Sequence, residues 1–288
     1  MVFIKWYRNA LRGLTIAIFI FIVWFESIGQ EASFNPVNWE VIKTKSDEYN
    51  GDVVNTELWD VLGKDQYPWG WGFCFRDEQV ILDSGYLHLK VDKKEEYDSA
   101  CRNCPAPFWS GGIQSRKDNY TYGYYEISAK LPGFYDEDKP DGKGFWPAFW
   151  TYFVEVDENR CRIIHDEIDI LEPSGTQYAD ASTNVCGFHD EDPDCERDHV
   201  KIGEGWYTHH EPLFKDFHKY AMEWQPDRIT FYFDDVPFYS ESGHSSMVMQ
   251  PQYVVIDQQM HHDVPVNPKM PIPQYMIVDY FRYYREKN

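Results

Sequence analysis

Apolar and polar side chains alternate along short stretches of this chain, and the alternation has the period of a strand. In residues 86–91, Leu87, Leu89 and Val91 alternate with Tyr86, His88 and Lys90. A half-buried strand has this pattern, one face to a core and the other to water. Similar β-rich runs lie at 123–130, 228–233 and 275–284. Asp234-Asp235, between Phe233 and Val236, predicts a tight hairpin turn. No long stretch sustains a helical period, and no repeat, low-complexity tract or linker follows residue 38. Many short strands predict a single all-β domain, an antiparallel sandwich or barrel.

The N-terminus breaks the pattern. Lys5, Arg8 and Arg12 precede an apolar run over residues 14–25. That run is short for a membrane span and suits a signal-peptide core. Ser27 and Gly29 supply small residues before Gln30. Residues 1–29 are therefore expected to be a signal peptide and 30–288 a secreted domain, with an uncleaved membrane anchor as the alternative. Export makes Cys74, Cys101, Cys104, Cys161, Cys186 and Cys195 disulfide candidates. Cys186–Cys195, which closes a short acidic loop, is the expected pair. Cys101-Arg-Asn-Cys104 has redox or zinc spacing, but no second such pair completes a closed zinc site.

Charge and composition narrow the partners. The net charge of -21 argues against nucleic acid and anionic membranes, which need a basic patch. After signal cleavage no stable membrane association is expected, and the domain is expected to be a monomer. The 11 Trp, 21 Tyr and 19 Phe fit either an aromatic-rich β core or flat, water-tolerant faces for sugar rings.

The candidate chemistry sits in Ile163-Ile-His-Asp-Glu-Ile-Asp-Ile-Leu-Glu172. Glu167 and Asp169 are two apart and share a strand face. Glu172 is three beyond Asp169, so strict alternation would turn it away. One extra residue, a β-bulge at Ile170-Leu171, restores it to the face. Two carboxylates about 5 Å apart are the equipment of a retaining glycosidase. At that distance they repel by roughly 3 kcal/mol in an effective dielectric near 20. The repulsion keeps one protonated as an acid while the other stays charged as a nucleophile. From spacing alone, a calcium site and a solvated acidic edge compete with catalysis.

This ExDxxE strand resembles glycoside hydrolase family 16, the β-jelly-roll endo-glycanases. The resemblance extends through Ser110-Gly-Gly-Ile-Gln-Ser115, Tyr122-Gly-Tyr-Tyr-Glu126, Trp146-Pro-Ala-Phe-Trp150, Phe217-His-Lys-Tyr-Ala-Met-Glu-Trp224 and Val278-Asp-Tyr-Phe-Arg-Tyr283. It implies a concanavalin A-like sandwich with a carbohydrate cleft on its concave face. It implies retaining hydrolysis of internal β-1,3 or β-1,4 bonds of a polysaccharide, with Glu167 as nucleophile, Asp169 assisting and Glu172 as general acid/base. No cofactor is expected for catalysis.

Trp146, Trp150, His165, Arg116, Asn184 and His189 are the expected substrate-binding residues by this resemblance. Trp146 and Trp150 fit a core role as well, Arg116 a surface role, and His165 replaces a Trp that some members carry. The resemblance also implies a structural Ca2+ at Gly85 and Asp279, with Glu48 as a third ligand. A β-glucan and an algal β-galactan stand nearly level as substrates. Alternatives on the same fold are a transglycosylase and a glycan-binding protein, although binding relatives lose the acidic residues retained here. His209-His210 and His261-His262 suggest metal, but adjacent strand histidines face opposite ways and no matching ligand set is visible in the sequence.

Overall fold

The computed structural model describes residues 34–63, 73–93, 108–156, 158, 162–173, 183–190, 200–243, 250–261, 264 and 266–287. The expected signal peptide, the Cys101/Cys104 pair, Cys161 and Cys195 lie outside the described residues. Among the described residues there are strands and short 3-10 turns, and no α-helix.

The strands in chain order are β1 (Trp39–Val41), β2 (Trp59–Val61), β3 (Phe73–Phe75), β4 (Val80–Asp83), β5 (Tyr86–Lys93), β6 (Phe108–Ser110), β7 (Gly112–Ser115), β8 (Gly123–Lys130), β9 (Phe134–Asp136) and β10 (Lys139–Asp141). They continue with β11 (Phe145–Val156), β12 (Arg162–Leu171), β13 (Thr183–Asp190), β14 (Val200–Thr208), β15 (His218–Gln225), β16 (Arg228–Phe233), β17 (Val236–Ser242), β18 (Tyr253–Met260) and β19 (Gln274–Glu286). A ten-stranded sheet runs β17-β16-β15-β8-β19-β5-β6-β3, with β1 added to β19 and β4 to β5. A seven-stranded sheet runs β14-β13-β12-β11-β18-β7-β2, and β9-β10 form a small hairpin. The all-β sandwich expected from the alternating pattern is the observed architecture.

The two sheets pack through their inner faces. Phe149, Ile168, Leu171, Ile256 and Ile113 from the seven-stranded sheet are buried with Leu89, Ile127, Met276 and Phe281 from the other. Phe149 and Phe281 meet across the interface with ring centroids 5.9 Å apart. Each such side chain withdraws apolar area from water, worth roughly 1.5–3 kcal/mol when burial is complete. In β5, Leu87, Leu89 and Val91 are buried while Tyr86, His88 and Lys90 are only partly covered. The alternation in the sequence is thus the burial alternation of the strand.

Local chemistry sets the turns. Asp234 and Asp235 hold φ angles of 48° and 67°. Aspartate tolerates this left-handed region better than most residues, and two such residues in succession match the right-handed twist of a two-residue hairpin. Pro147 lies inside β11, but β12 pairs with that strand only from Phe149 onward. Its missing N–H therefore falls where one flank of β11 carries no ladder.

The outer face of the ten-stranded sheet is covered by the N-terminal segment. Phe34 stacks on Tyr124 at 3.6 Å, and Trp39 and Val41 pack on the same small cluster with Tyr232 and Tyr284. Beside this cluster Glu126 is buried. It accepts hydrogen bonds from Tyr280 Oη at 2.7 Å and Tyr124 Oη at 3.4 Å. Burial pushes its carboxyl above the ordinary glutamate range, and the Tyr280 hydrogen bond pulls it partly back.

Candidate active site

The outward face of the seven-stranded sheet collects the acidic residues. On β11 the odd positions Phe149 and Thr151 pair with Leu171 and Ile168, so the even positions Trp146, Ala148, Trp150 and Tyr152 point outward. Directly across, Tyr152 pairs with Glu167 and Trp150 with Asp169. The register then shifts: Phe149 pairs with Leu171, leaving Ile170 as an extra residue between the two matched pairs. This bulge lies where the carboxylate spacing requires one. It keeps Ile170 and Leu171 buried and brings Glu172 to the outward face. Trp146 Nε1 donates to Glu172 Oε1 at 3.2 Å, which ties the third carboxylate to the neighbouring strand.

Each carboxylate has a different environment. Glu167 is partly open, with 18% of its side chain exposed, and Oε2 lies 3.2 Å from His165 Nε2. His165 is 2% exposed, so its ring meets Glu167 rather than the open cleft. Asp169, between the two glutamates, is buried opposite Trp150. A fourth acid, Asp257 on β18, is 1% exposed on the same face. Trp150 Nε1 donates to Asp257 Oδ2 at 3.4 Å, and Gln259 Nε2 lies 3.1 and 3.2 Å from its two oxygens. Burial pushes the Asp257 carboxyl up to about 7; the hydrogen bonds from Gln259 and Trp150 pull down, and the charge of Glu167 pushes up.

A pocket opens beside these acids, lined by Phe73, Phe75, Gln114, Trp150, Tyr152 and Asp257 among others. Tyr152 Oη donates to Gln114 Oε1 at 2.9 Å, and the Tyr152 ring stacks on Trp150 at 5.0 Å. Aromatic faces edged by amide and carboxyl groups can pack sugar rings while hydrogen-bonding their hydroxyls. Farther along the same face, β13 pairs Gly187 with both Asp169 and Glu204. Trp206, two residues beyond Glu204, therefore shares that face and is 50% exposed.

The structure brings Glu167, Asp169, Glu172, Trp146, Trp150 and His165 together. His189 is the register partner of Glu167 on the next strand. Asn184 pairs with Tyr207, out of phase with the Gly187–His189 positions. Arg116 stands apart from the carboxylates. Its Nη1 donates to the Thr56 carbonyl at 2.8 Å, its Nε lies 3.2 Å from Asp60, and the pocket it lines is formed with Thr44, Lys45 and Asn119.

Among the residues expected to hold calcium, Glu48 does not fit as a ligand. Arg282 donates to both its oxygens, each at 2.8 Å, and lowers its carboxyl below the ordinary range. Gly85 sits in the β4–β5 turn at a φ of 82°, and Asp279 at a register shift in β19.

Asp257, Gln259, Gln114, Tyr152 and Trp206 were not expected from the sequence. For the first two a signal exists. In Tyr253-Val-Val-Ile-Asp-Gln-Gln-Met260, polar residues at 257 and 259 interrupt an otherwise apolar strand on one face.

The family model for glycosyl hydrolases family 16 matches residues 69–262. The glucan endo-1,3-beta-glucosidase A1 of Niallia circulans is 25% identical over 267 residues, covering 84% of this chain and 37% of that protein. The beta-glucanase of Rhodothermus marinus is 26% identical over 234 residues, covering 74% of this chain and 68% of its own length. This chain thus spans little more than a third of the first relative and about two thirds of the second. Among solved structures, porphyranase B from Zobellia galactanivorans superposes with a TM-score of 0.71 at 19% identity, covering 91% of this chain and 98% of that one. At that identity the likeness speaks for the fold.

Proposed function

The chain belongs to glycosyl hydrolases family 16, and on that premise we propose that it is an endo-acting β-glycanase that cleaves internal bonds of a polysaccharide with retention. The observation that carries the reading is the register shift at Ile170. It places Glu172, held by Trp146, on the face already occupied by Glu167 and Asp169.

In the proposed first step a Glu167 oxygen attacks the anomeric carbon while the bond to the leaving oxygen breaks. The Glu172 carboxyl gives its proton to that oxygen. In the second step Glu172, now a carboxylate, takes a proton from water. The water oxygen attacks the same carbon, and Glu167 departs as a carboxylate. His165 supports the nucleophile: a donor 3.2 Å from Glu167 Oε2 stabilises the carboxylate before attack and after release. Asp169, buried between the two, answers the change in charge on Glu167 over the cycle. Trp146, by donating to Glu172, sets the direction from which the proton is delivered.

A β-glucan and an algal β-galactan are the substrate classes proposed. The named relatives and the fold neighbour fall on both sides of that division. Secretion belongs to the same reading and rests on the basic residues ahead of the apolar run at 14–25. So does disulfide cross-linking, supported by Cys74, which is disulfide-bonded to a partner outside the described residues.

The test is reducing-end release across laminarin, lichenan, agarose, porphyran and κ-carrageenan, with Glu172→Gln as control. Release from one polysaccharide, abolished in the variant, is the expected result. Binding to a polysaccharide without any shortening of it would overturn the enzyme reading in favour of a lectin-like one.

A further inference from the structure

Far from the acidic face, three side chains from separate strands converge at the open edge of the sandwich. His209 follows β14, the edge of the seven-stranded sheet. His218 opens β15, and Asp234 begins the turn from β16 to β17, both in the ten-stranded sheet. Their ligand atoms all lie within 4.8 Å of one another. We propose that His209, His218 and Asp234 form a binding site for a divalent transition-metal ion of the zinc type, a clip between the edges of the two sheets.

The donor set points to that class of ion. Two imidazoles and one carboxylate suit Zn2+ and its first-row neighbours, whereas Ca2+ and Mg2+ take all-oxygen sets. Three protein ligands leave one position for water, so the ion is expected to exchange with solution. Zinc bonds of about 2.0–2.1 Å place ligand atoms roughly 3.3 Å apart at tetrahedral angles, and side-chain rotation is enough to close the present set.

The surroundings already hold the ligands as a metal site would. His209 Nδ1 lies 3.0 Å from the Glu211 carbonyl oxygen. As a donor there it leaves Nε2 free to ligate, the usual outer-shell arrangement of a metal-bound histidine. Asp234 Oδ1 accepts the Lys219 backbone N–H at 2.8 Å, while Oδ2 lies 2.8 Å from His218 Nδ1. A metal ion would take the place of the proton between those last two atoms. The Lys219 ammonium is drawn off to Asp235, 2.7 Å away, and does not compete for Asp234. Beneath the site, Phe233 is a common floor. The His218 ring stacks on it at 5.0 Å and the His209 ring lies 5.5 Å away.

The sequence reading failed here for a definite reason. His209-His210 shows no local ligand set because the partners come from 9 and 25 residues on (His218 and Asp234) and meet only when β14 approaches β15 and the β16–β17 turn.

The test uses the full chain, stripped with a chelator and titrated with Co2+ as the probe ion, then with Zn2+ in competition. The expected result is one equivalent of Co2+ with weak visible bands of nitrogen and oxygen ligation, displaced by Zn2+. His209→Gln, at a partly exposed position, should weaken binding at least about tenfold, and excess Zn2+ should raise Tm in the parent more than in the variant. Asp234→Asn tests the same site without removing an aromatic contact. Absence of stoichiometric binding would overturn the proposal. So would equal affinity in parent and both variants, or a near-ultraviolet thiolate band, which would assign the ion to cysteines.

Discussion

Each sheet of the sandwich buries carboxylates on its outer face, and the two sheets treat them in opposite ways. Glu126, on the ten-stranded sheet, is held by two tyrosine hydroxyls and lies beside an aromatic cluster covered by Phe34 and Trp39. Arg282 and Lys219 are close enough to favour its charge. Glu167, Asp169, Glu172 and Asp257, on the seven-stranded sheet, are held by indole, imidazole and amide groups along a face that includes a pocket. Burial alone therefore does not mark a reactive acid. Glu126 has its hydrogen bonds and its cover supplied by the fold, whereas the acids of the other face lie beside space that a substrate can enter.

The largest effect should separate the two faces directly. Glu167→Gln and Glu172→Gln should each lower hydrolysis by at least about 10³-fold with little change in Tm, while Glu126→Gln should leave kcat within about twofold. Comparable losses in all three would erase the distinction.

Asp257 comes next. Its carboxyl is raised to about 7 by burial, so the folded chain keeps a proton that the unfolded chain releases near pH 4. Stability from this group should fall as pH rises from 4 to 7, by at most about 4 kcal/mol, with the penalty complete above that range. Asp257→Asn should therefore gain on the parent between pH 5 and pH 8, which denaturant melts at both pH values would measure. A pH-independent difference would remove Asp257 from the strained acids.

Trp146→Phe deletes the donor to Glu172 and keeps the ring. A hydrogen bond to a charged group is worth about 1.5–3 kcal/mol, so kcat should fall roughly 10- to 100-fold, with the basic limb of the pH profile displaced. Unchanged kinetics would mean that Glu172 needs no tether. The smallest effect should come from Trp206→Ala. Loss of one exposed aromatic face, about 0.5–1.5 kcal/mol, should raise KM roughly 2- to 10-fold at unchanged kcat. No change in KM would confine the cleft to the inner strands.

Much of this was legible in the sequence because it depends on local period. The alternation at 86–91 and the misplaced Glu172 both follow from two-residue repeats, and both reappear as burial and as a register shift. What was not legible depends on distant strands meeting. Asp257 reaches Trp150 across 107 positions, and nothing near either residue announces the other. The same holds for Glu48, whose position suited a calcium ligand until Arg282, 234 residues away, proved to hold both its oxygens.

The extra residue at Ile170 makes chain length, rather than residue type, the variable that guards this chemistry. A point substitution changes what a position carries but not which way it points; a one-residue deletion reverses everything beyond it. Removing Ile170 would exchange Leu171 and Glu172 across the sheet, driving a charge into the core and a leucine into the cleft. A descendant could lose the three acids one codon at a time and keep its architecture. It could not lose the bulge so cheaply. Lineages that abandon the reaction should therefore be recognisable by altered letters in a strand of unaltered length.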